Sequence, residues 1–370
     1  MAIAAIVGRP NVGKSSIFNR ILGKRAAIVD DQPGVTRDRL YGEAEWAGKK
    51  FYIVDTGGIR SETEHPFMDL IEKQVDLAVD ESGVIIFVVD GKTGVTPTDA
   101  EIAHKLRRSG KPVVVAMNKL DSQNLEDAMI GEAYGLGFDE VVGVSAEHNT
   151  GFNELMDIVA SKLEDDEFDE DSDEIRVTLV GRPNVGKSSL LNAFAGEERS
   201  MVSDIAGTTR DVVDSVVELG GKKFRFLDTA GLRRKSRVNS ALEYYSNVRT
   251  YQAIDRCHVA LVLLDAQDLL TEQDKRLVGQ VLERGKGLVL VVNKWDLAPK
   301  EEKTGDVITK KLIEELPLAA HAPRVFISAL SGRSLGKLPE MILKVEENRR
   351  RRIPTSELNR LVKEVLVFDR

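Results

Sequence analysis

Four short runs, Val84 to Asp90 (VIIFVVD), Pro112 to Asn118 (PVVVAMN), Val259 to Asp265 (VALVLLD) and Gly287 to Asn293 (GLVLVVN), are apolar until their last residue. Such runs read as strands buried on both faces. Ile3 to Val7 and Val177 to Val180 read the same way. Helical patterns alternate with them. Phe67 to Asp80 places Met68, Ile71, Val75, Ala78 and Val79 on one face, and Thr271 to Glu283 begins with a Thr-x-x-Asp cap before its apolar positions. Strands alternating with helices imply βαβ crossovers, hence an α/β fold with doubly wound, mostly parallel sheets and helices on both faces. Ligands of such sheets bind beyond the carboxyl ends of the strands.

The pattern occurs twice. The nine residues GRPNVGKSS stand at Gly8 to Ser16 and again at Gly181 to Ser189, each after an apolar strand and before a helical pattern (Ile17, Ile21, Leu22; Leu190, Leu191, Phe194). Thr36-Arg37-Asp38 falls on Thr209-Arg210-Asp211 and Asp55-Thr56-Gly57-Gly58 on Asp228-Thr229-Ala230-Gly231, all at the offset that carries Gly8 to Gly181. Asn118-Lys119-Leu120-Asp121 then meets Asn293-Lys294-Trp295-Asp296, and Ser145-Ala146 meets Ser328-Ala329, so the later loops of the second copy are slightly longer. A chain of 370 residues suits two domains. The expected division is a first domain over 1–163, an acidic linker over 164–174, a second domain over 175–347 and a basic tail over 348–370.

Each nonapeptide satisfies G-x-x-x-x-G-K-[ST], the pattern of a phosphate-binding loop. Its expected phosphate contacts are Gly8, Asn11, Val12, Gly13, Lys14, Ser15 and Ser16, and Gly181, Asn184, Val185, Gly186, Lys187, Ser188 and Ser189. The glycines let backbone amides turn toward the β-phosphate, and the following helix dipole adds a favourable field. Lys14 and Lys187 are expected on the β and γ oxygens, with the Ser15 and Ser188 hydroxyls on Mg2+. Asp55 and Asp228 close apolar strands (FYIVD, FRFLD) and bring acidic charge to the metal. Gly58 and Gly231 offer an amide to the γ-phosphate, and Thr36 and Thr209 lie in polar segments that close over the metal when that phosphate is present.

The base is expected to be read by Asn118, Lys119 and Asp121, and by Asn293, Lys294 and Asp296. A carboxylate accepts from both the ring N–H and the exocyclic amine of guanine, whereas adenine would leave the acid unpaired, which favours GTP over ATP. Ser145-Ala146 and Ser328-Ala329 are placed to offer a backbone amide to the guanine oxygen.

The net charge of −8 argues against a uniformly basic nucleic-acid surface, but two blocks depart from the average. Glu164 to Glu174 (EDDEFDEDSDE) reads as a solvated, self-repelling linker, with steering or docking as the alternative. Arg349 to Arg352 reads equally as a solvated helix end or as a phosphate-backbone contact. The lone Cys257 begins an apolar run and reads as a reduced core residue. No run approaches a membrane span and the chain enters a strand at once, so the expected address is the cytoplasm.

The motif set, in this order, resembles the translation-factor-related GTPases, and the tandem arrangement with an acidic linker resembles the Der family, also called EngA. The resemblance runs from Ala2 to about Glu364 and implies a bacterial GTPase that binds ribosomal particles, through the large subunit or its RNA, late in large-subunit assembly. Members of that family end in a KH-like domain, of which this chain holds only a first helical pattern, Ser356 to Val365, so most of that domain is expected to be missing. Ile59 and Leu232 stand where Ras-like enzymes carry the water-orienting glutamine, which implies slow intrinsic hydrolysis. Asn11 and Asn184 resemble the loop asparagine of relatives in which K+ supplies the charge of an arginine finger; a turn-stabilising role is the alternative.

The expectation is therefore a monomeric enzyme of two tandem P-loop G domains, with nucleotide-set switches near 29–38, 57–66, 202–211 and 230–240. The second of those in the later domain carries Arg233-Arg234-Lys235, either a nucleotide-controlled phosphate-binding patch or solvated charge. Two rival readings stand beside it: a scaffold in which one domain holds nucleotide without turnover, and a G-domain regulator of a tRNA-modifying or transport partner.

Overall fold

The computed structural model describes residues 2–23, 41–58, 67–120, 123–163, 173–196, 203–206, 213–229, 240–298 and 304–368. By Cα proximity the chain falls into two units, Met1–Glu170 with Arg237–Gln252, and Asp171–Ser236 with Ala253–Arg370.

In the first G domain the strands are β1 (Ala2–Val7), β2 (Tyr41–Trp46), β3 (Lys49–Asp55), β4 (Val84–Asp90), β5 (Val113–Asn118) and β6 (Val141–Val144). They form one sheet in the order β2-β3-β1-β4-β5-β6, parallel throughout except for β2 against β3. The described helices are α1 (Lys14–Leu22), α2 (Phe67–Glu81), α3 (Pro97–Ser109), α4 (Gln123–Tyr134) and α5 (Phe152–Lys162). Strand residues alternate between two cores. Ala4, Ile6, Ile86, Val88, Val114 and Ala116 pack with Ile17 and Phe18 of α1 and Leu155 and Val159 of α5. Ala5, Val7, Ile85, Phe87, Val115 and Met117 pack on the other face with Val75 and Ala78 of α2 and Ile102 and Leu106 of α3. Continuous apolar runs are what a sheet covered on both faces requires.

The second G domain repeats this around β7 (Ile175–Val180), with β8 (Ser203–Ala206), β9 (Val213–Leu219), β10 (Lys222–Phe226), β11 (Val259–Asp265), β12 (Gly287–Asn293) and β13 (Arg324–Phe326). The order is β13-β12-β11-β7-β10-β9-β8, antiparallel only at β10-β9 and β9-β8. The helices of this half of the chain are α6 (Lys187–Gly196), α7 (Ser240–Arg256), which up to Gln252 falls in the first unit, α8 (Glu272–Glu283), α9 (Thr304–Glu315), α10 (Lys337–Arg350) and α11 (Thr355–Phe368). β8 lies inside the segment expected to switch at 202–211, so part of that segment is an edge strand here.

Two capping boxes fix the helices that follow the central strands. Thr96 with Asp99 caps α3, and Thr271 with Asp274 caps α8, each carboxylate bonded back to the cap amide at 3.0 Å. Among the described residues no helix is long and apolar enough to cross a membrane. Cys257 is buried at the foot of β11, and burial pushes its thiol up to about 12, in keeping with an inert core residue.

Candidate functional site

In each domain the central strand, β1 or β7, runs at its carboxyl end into the nonapeptide, which wraps the first turn of the next helix. Gly8 has φ 154° and Gly13 has φ 94°. A Cβ on Gly8 would stand 2.4 Å from the Val88 carbonyl oxygen, and one on Gly13 would stand 2.3 Å from Asn118 Nδ2. In the second copy the corresponding approaches are 2.6 Å from Gly181 to Leu263 O and 2.2 Å from Gly186 to Asn293 Nδ2. Glycine is needed here for space as well as for backbone conformation. Asn11 and Asn184 are left-handed, with φ 66° and 63°, a conformation asparagine tolerates and which gives each a turn role by itself.

The loop lysines are buried inside this turn. Lys14 Nζ donates to the carbonyl oxygens of Gly8 (2.7 Å) and Arg9 (2.9 Å), and Lys187 Nζ to those of Gly181 and Arg182. Burial lowers the Lys14 ammonium to about 8, with Asp55 pulling it back up. Val12 and Val185 anchor the loop in the core, while Ser16 and Ser189 lie on the surface-facing side of α1 and α6.

At the end of β3, Ser15 Oγ donates to Asp55 Oδ2 (2.6 Å), and Asp55 Oδ1 accepts from the Gly57 amide (2.8 Å). A Cβ on Gly57 would meet Lys14 Cε at 2.7 Å and Asp55 Oδ1 at 3.1 Å, so this turn passes close to lysine and carboxylate together only because it is glycine. Thr56 Oγ1 ties the turn to Ile6 O (2.8 Å), and Gly58 ends it. A hydroxyl and a carboxylate beside a lysine are hard donors that fit Mg2+, an ion that keeps several waters and takes its other ligands from substrate phosphates.

The second copy departs at this point. Asp55 is the last residue of β3, but Asp228 lies beyond the end of β10, with φ 53°. Its amide is turned onto Asp214 Oδ1 (3.2 Å), and Ser215 Oγ meets Thr229 Oγ1 at 2.9 Å. Asp214 is buried and its carboxyl is raised by that burial, against the pull of Arg256. The position of Asp214 in the first copy is Tyr41, so the repeat alone gave no sign of this carboxylate.

The strand ends β5 and β12 carry the second half of the site. Asn118 Nδ2 donates to Val12 O (2.8 Å) and Asn118 Oδ1 accepts from the Ala146 amide (3.2 Å). Asn293 does the same with Val185 O (2.8 Å) and the Ala329 amide (2.9 Å). Both asparagines are buried, and they join the phosphate loop to the Ser-Ala loop. Ser145 and Ser328 cap that loop, accepting from the amides of His148 and Ser331. Lys119 and Lys294 have φ 70° and 60°, and each ammonium lies 2.6 Å from a carboxylate at the end of the neighbouring strand, Asp90 for one and Asp265 for the other. Lys119 also donates to Asn11 O (2.7 Å). Burial pushes the Asp90 and Asp265 carboxyls up, but the lysine and the backbone amides outweigh it and hold both below the usual range.

These two aspartates were not singled out in the sequence. Their signal is the shared terminal Asp of VIIFVVD and VALVLLD. A second missed pair braces the loop from outside: Arg9 Nε stands 3.1 Å from Asp99 Oδ2 and Arg182 Nε 2.9 Å from Asp274 Oδ2. Asp296 is exposed on the short turn Trp295–Leu297. Asp121, Thr36, Thr209, Gly231, Ile59, Leu232 and Arg233-Arg234-Lys235 lie outside the described residues, as do positions 164–172 of the linker. Of the arginine block, Arg349 and Arg350 are bonded to Glu346 (2.6 Å each), while Arg351 and Arg352 are exposed.

A sequence model of the family described as 50S ribosome-binding GTPase matches residues 3–119 and again 176–294. GTPase Der of Clostridium tetani is 47% identical over 367 residues, 99% of this chain and 84% of that protein. GTPase Der of Desulfitobacterium hafniense strain Y51 is 49% identical over 364 residues, 98% of this chain and 82% of that protein. Among solved structures, Era of Aquifex aeolicus bound to GDP and AlF4− aligns over 89% of this chain and 93% of its own, with 20% identity and a TM-score of 0.37. Two matches to the family, together covering more than half of the chain, and relatives nearly half identical along almost all of it, place the chain in the Der family of GTPases, with two tandem G domains.

Proposed function

We propose that both G domains bind Mg-GTP at the sites built by the two nonapeptides and use its γ-phosphate to control docking on the large ribosomal subunit during its assembly. The observation that carries this is the repetition, bond for bond, of the Lys–loop, Asn–loop and Lys–Asp arrangements in both domains. GTPases of this family generally use Mg2+. Ser15 and Asp55, with Thr36, would hold it in the first domain, and Ser188, Asp228 and Thr209 in the second, where it would neutralise phosphate charge.

Lys14 and Lys187 would trade loop carbonyls for phosphate oxygens when nucleotide enters, and an anion beside the Lys14 ammonium would favour the charged form that burial disfavours. The loop amides and Gly58 and Gly231 complete the cradle. Asp121 and Asp296 read the guanine edge, while Asn118 and Asn293 keep the base loop and phosphate loop in register. Asn11 and Asn184 would hold K+ beside the phosphates, where it would supply positive charge. Hydrolysis is slow in isolation, because Ile59 and Leu232 orient no water. The functional domains run over 1–163 and 175–347, joined by the acidic linker, and the chain acts as a cytoplasmic monomer.

Sedimentation with large ribosomal subunits under a non-hydrolysable GTP analogue, GDP and no nucleotide tests this reading. It predicts co-sedimentation that depends on nucleotide; equal co-sedimentation in all three states rejects it.

The departure at Asp228 favours a second reading, in which only the first domain turns GTP over and the second holds it. Separate Lys14→Ala and Lys187→Ala variants decide between them by phosphate release. If Lys187→Ala keeps full activity, the second domain is a binding module.

A further inference from the structure

The loop that carries Ser145 and Ala146 is anchored on both sides in the first domain. Its amide side is held by Asn118 Oδ1, which accepts from Ala146 N (3.2 Å). Its carbonyl side is held by Arg20, on the last turns of α1. Arg20 Nε donates to Ala146 O (3.1 Å), and Arg20 Nη2 donates to Ala146 O (2.7 Å) and to Glu147 O (3.2 Å). A guanidinium suits this task because its donors form a rigid fork that reaches two successive carbonyls at once.

The second domain keeps the amide side, but the position that matches Arg20 carries no side-chain donor. Ala329 N donates to Asn293 Oδ1 (2.9 Å), and Ser328 pairs with Arg333 as Ser145 pairs with Thr150. In the register that carries Lys14 to Lys187, Arg20 falls on Ala193. Ala193 packs its methyl group partly into the core and has no donor to give. In the register that carries Ser145 to Ser328, Glu147 falls on Leu330, which is 89% exposed. Two sites with identical phosphate loops therefore differ in how their base loop is tied down.

We propose that Arg20 is a positioning residue for the guanine ring of the first domain, and that it makes that site release nucleotide more slowly than an unclamped site would. The inference rests on the reading that Ser145-Ala146 edges the base. A loop held at both its amide and its carbonyls reaches the bound geometry with less ordering left to do, and that difference appears in the dissociation rate. The contact is made in ground and transition states alike, so its loss raises KM and leaves kcat in place.

The test is the dissociation rate of a fluorescent GDP derivative, read from the first site in a Lys187→Ala background and from the second in a Lys14→Ala background. Arg20→Met keeps the aliphatic stem and removes every donor. It is expected to speed release from the first site by about tenfold, the lower end for losing hydrogen bonds from a charged group, and to leave the second unchanged. Arg20→Lys, a point charge that still reaches a carbonyl, is expected to fall between.

An unchanged first-site rate, or an equal rise at both sites, overturns the proposal. Asp121→Asn separates this from failure of the base reading. A carboxamide offers a donor where xanthine has a carbonyl and guanine an amine, so the variant should move first-site preference from guanosine to xanthosine nucleotides. A preference that moves while Arg20→Met does nothing removes the clamp alone. A preference that does not move removes the base reading, and the clamp with it.

Discussion

Asn118 Nδ2 donates to the carbonyl oxygen of Val12 at 2.8 Å, and the same nitrogen stands 2.3 Å from where a Cβ on Gly13 would be. The bond that holds the phosphate loop to β5 thus requires the neighbouring residue to have no side chain. Gly13 is also left-handed, at φ 94°. Gly13→Ala is expected to weaken GDP binding at the first site by about tenfold to a hundredfold, from strain of ~1–3 kcal/mol, and to spare the second. Titration with fluorescent GDP in a Lys187→Ala background measures it; wild-type affinity would contradict the geometry.

Asp90 ties Lys119 to the amides of Lys92 and Thr93, and Asp265 ties Lys294 to that of Gln267. Asp90→Asn keeps the shape and removes the charge. Loss of a charged hydrogen bond is worth about 1.5–3 kcal/mol, so GTP affinity at the first site should fall by roughly tenfold or more through a misplaced Lys119. Isothermal titration of the two single variants, Asp90→Asn and Asp265→Asn, should show the loss confined to one site in each.

The central strands were legible because burial on both faces leaves an unbroken apolar run: the expected 84–90, 259–265 and 287–293 are β4, β11 and β12. The Thr271 cap was legible because a capping box is local. β2, the hairpin partner of β3, had no such signal, since Tyr41–Trp46 (YGEAEW) is an edge strand with no apolar run. The site divides the same way. Contiguous motifs were readable, whereas Asp90, Asp99, Asp214 and Arg20 act through partners made neighbours only by the crossovers. The strand-closing aspartate was half legible: Asp55 ends its strand, but Asp228, with a similar context in sequence (FRFLDTAG against FYIVDTGG), is drawn off the ladder by Asp214.

His258 lies against Arg176 and Glu346 in the second domain, with Arg349 and Arg350 on the same carboxylate. Burial, then Arg176, push its imidazole down from 6.5 to about 4. The unfolded chain therefore takes up this proton at higher pH than the folded one, and stability is lost as pH falls from about 6.5 to about 4. Glu346, which burial would raise but Arg349 and Arg350 hold low, loses its contribution as pH falls below 4.5. In a Trp46→Phe background Trp295 reports the second domain alone. His258→Gln should flatten the fall in its urea midpoint between pH 6.5 and 4; an unchanged slope would show that His258 is not its source.

Asn11 and Asn184 need no ion to explain their left-handed turns, so K+ is a claim about rate rather than fold. GTP hydrolysis should be faster in potassium than in sodium at equal ionic strength, and Asn11→Ala or Asn184→Ala should remove the difference at its own site. Equal rates in the two salts would leave the asparagines with their turn role only.

The number of nucleotides bound per chain tests most directly whether both G domains hold a guanine nucleotide. Equilibrium dialysis with Mg2+ and a non-hydrolysable GTP analogue should give two nucleotides per chain, falling to one in Lys14→Ala and to one in Lys187→Ala, with excess ATP displacing neither. One nucleotide per wild-type chain, or displacement by ATP, would contradict it.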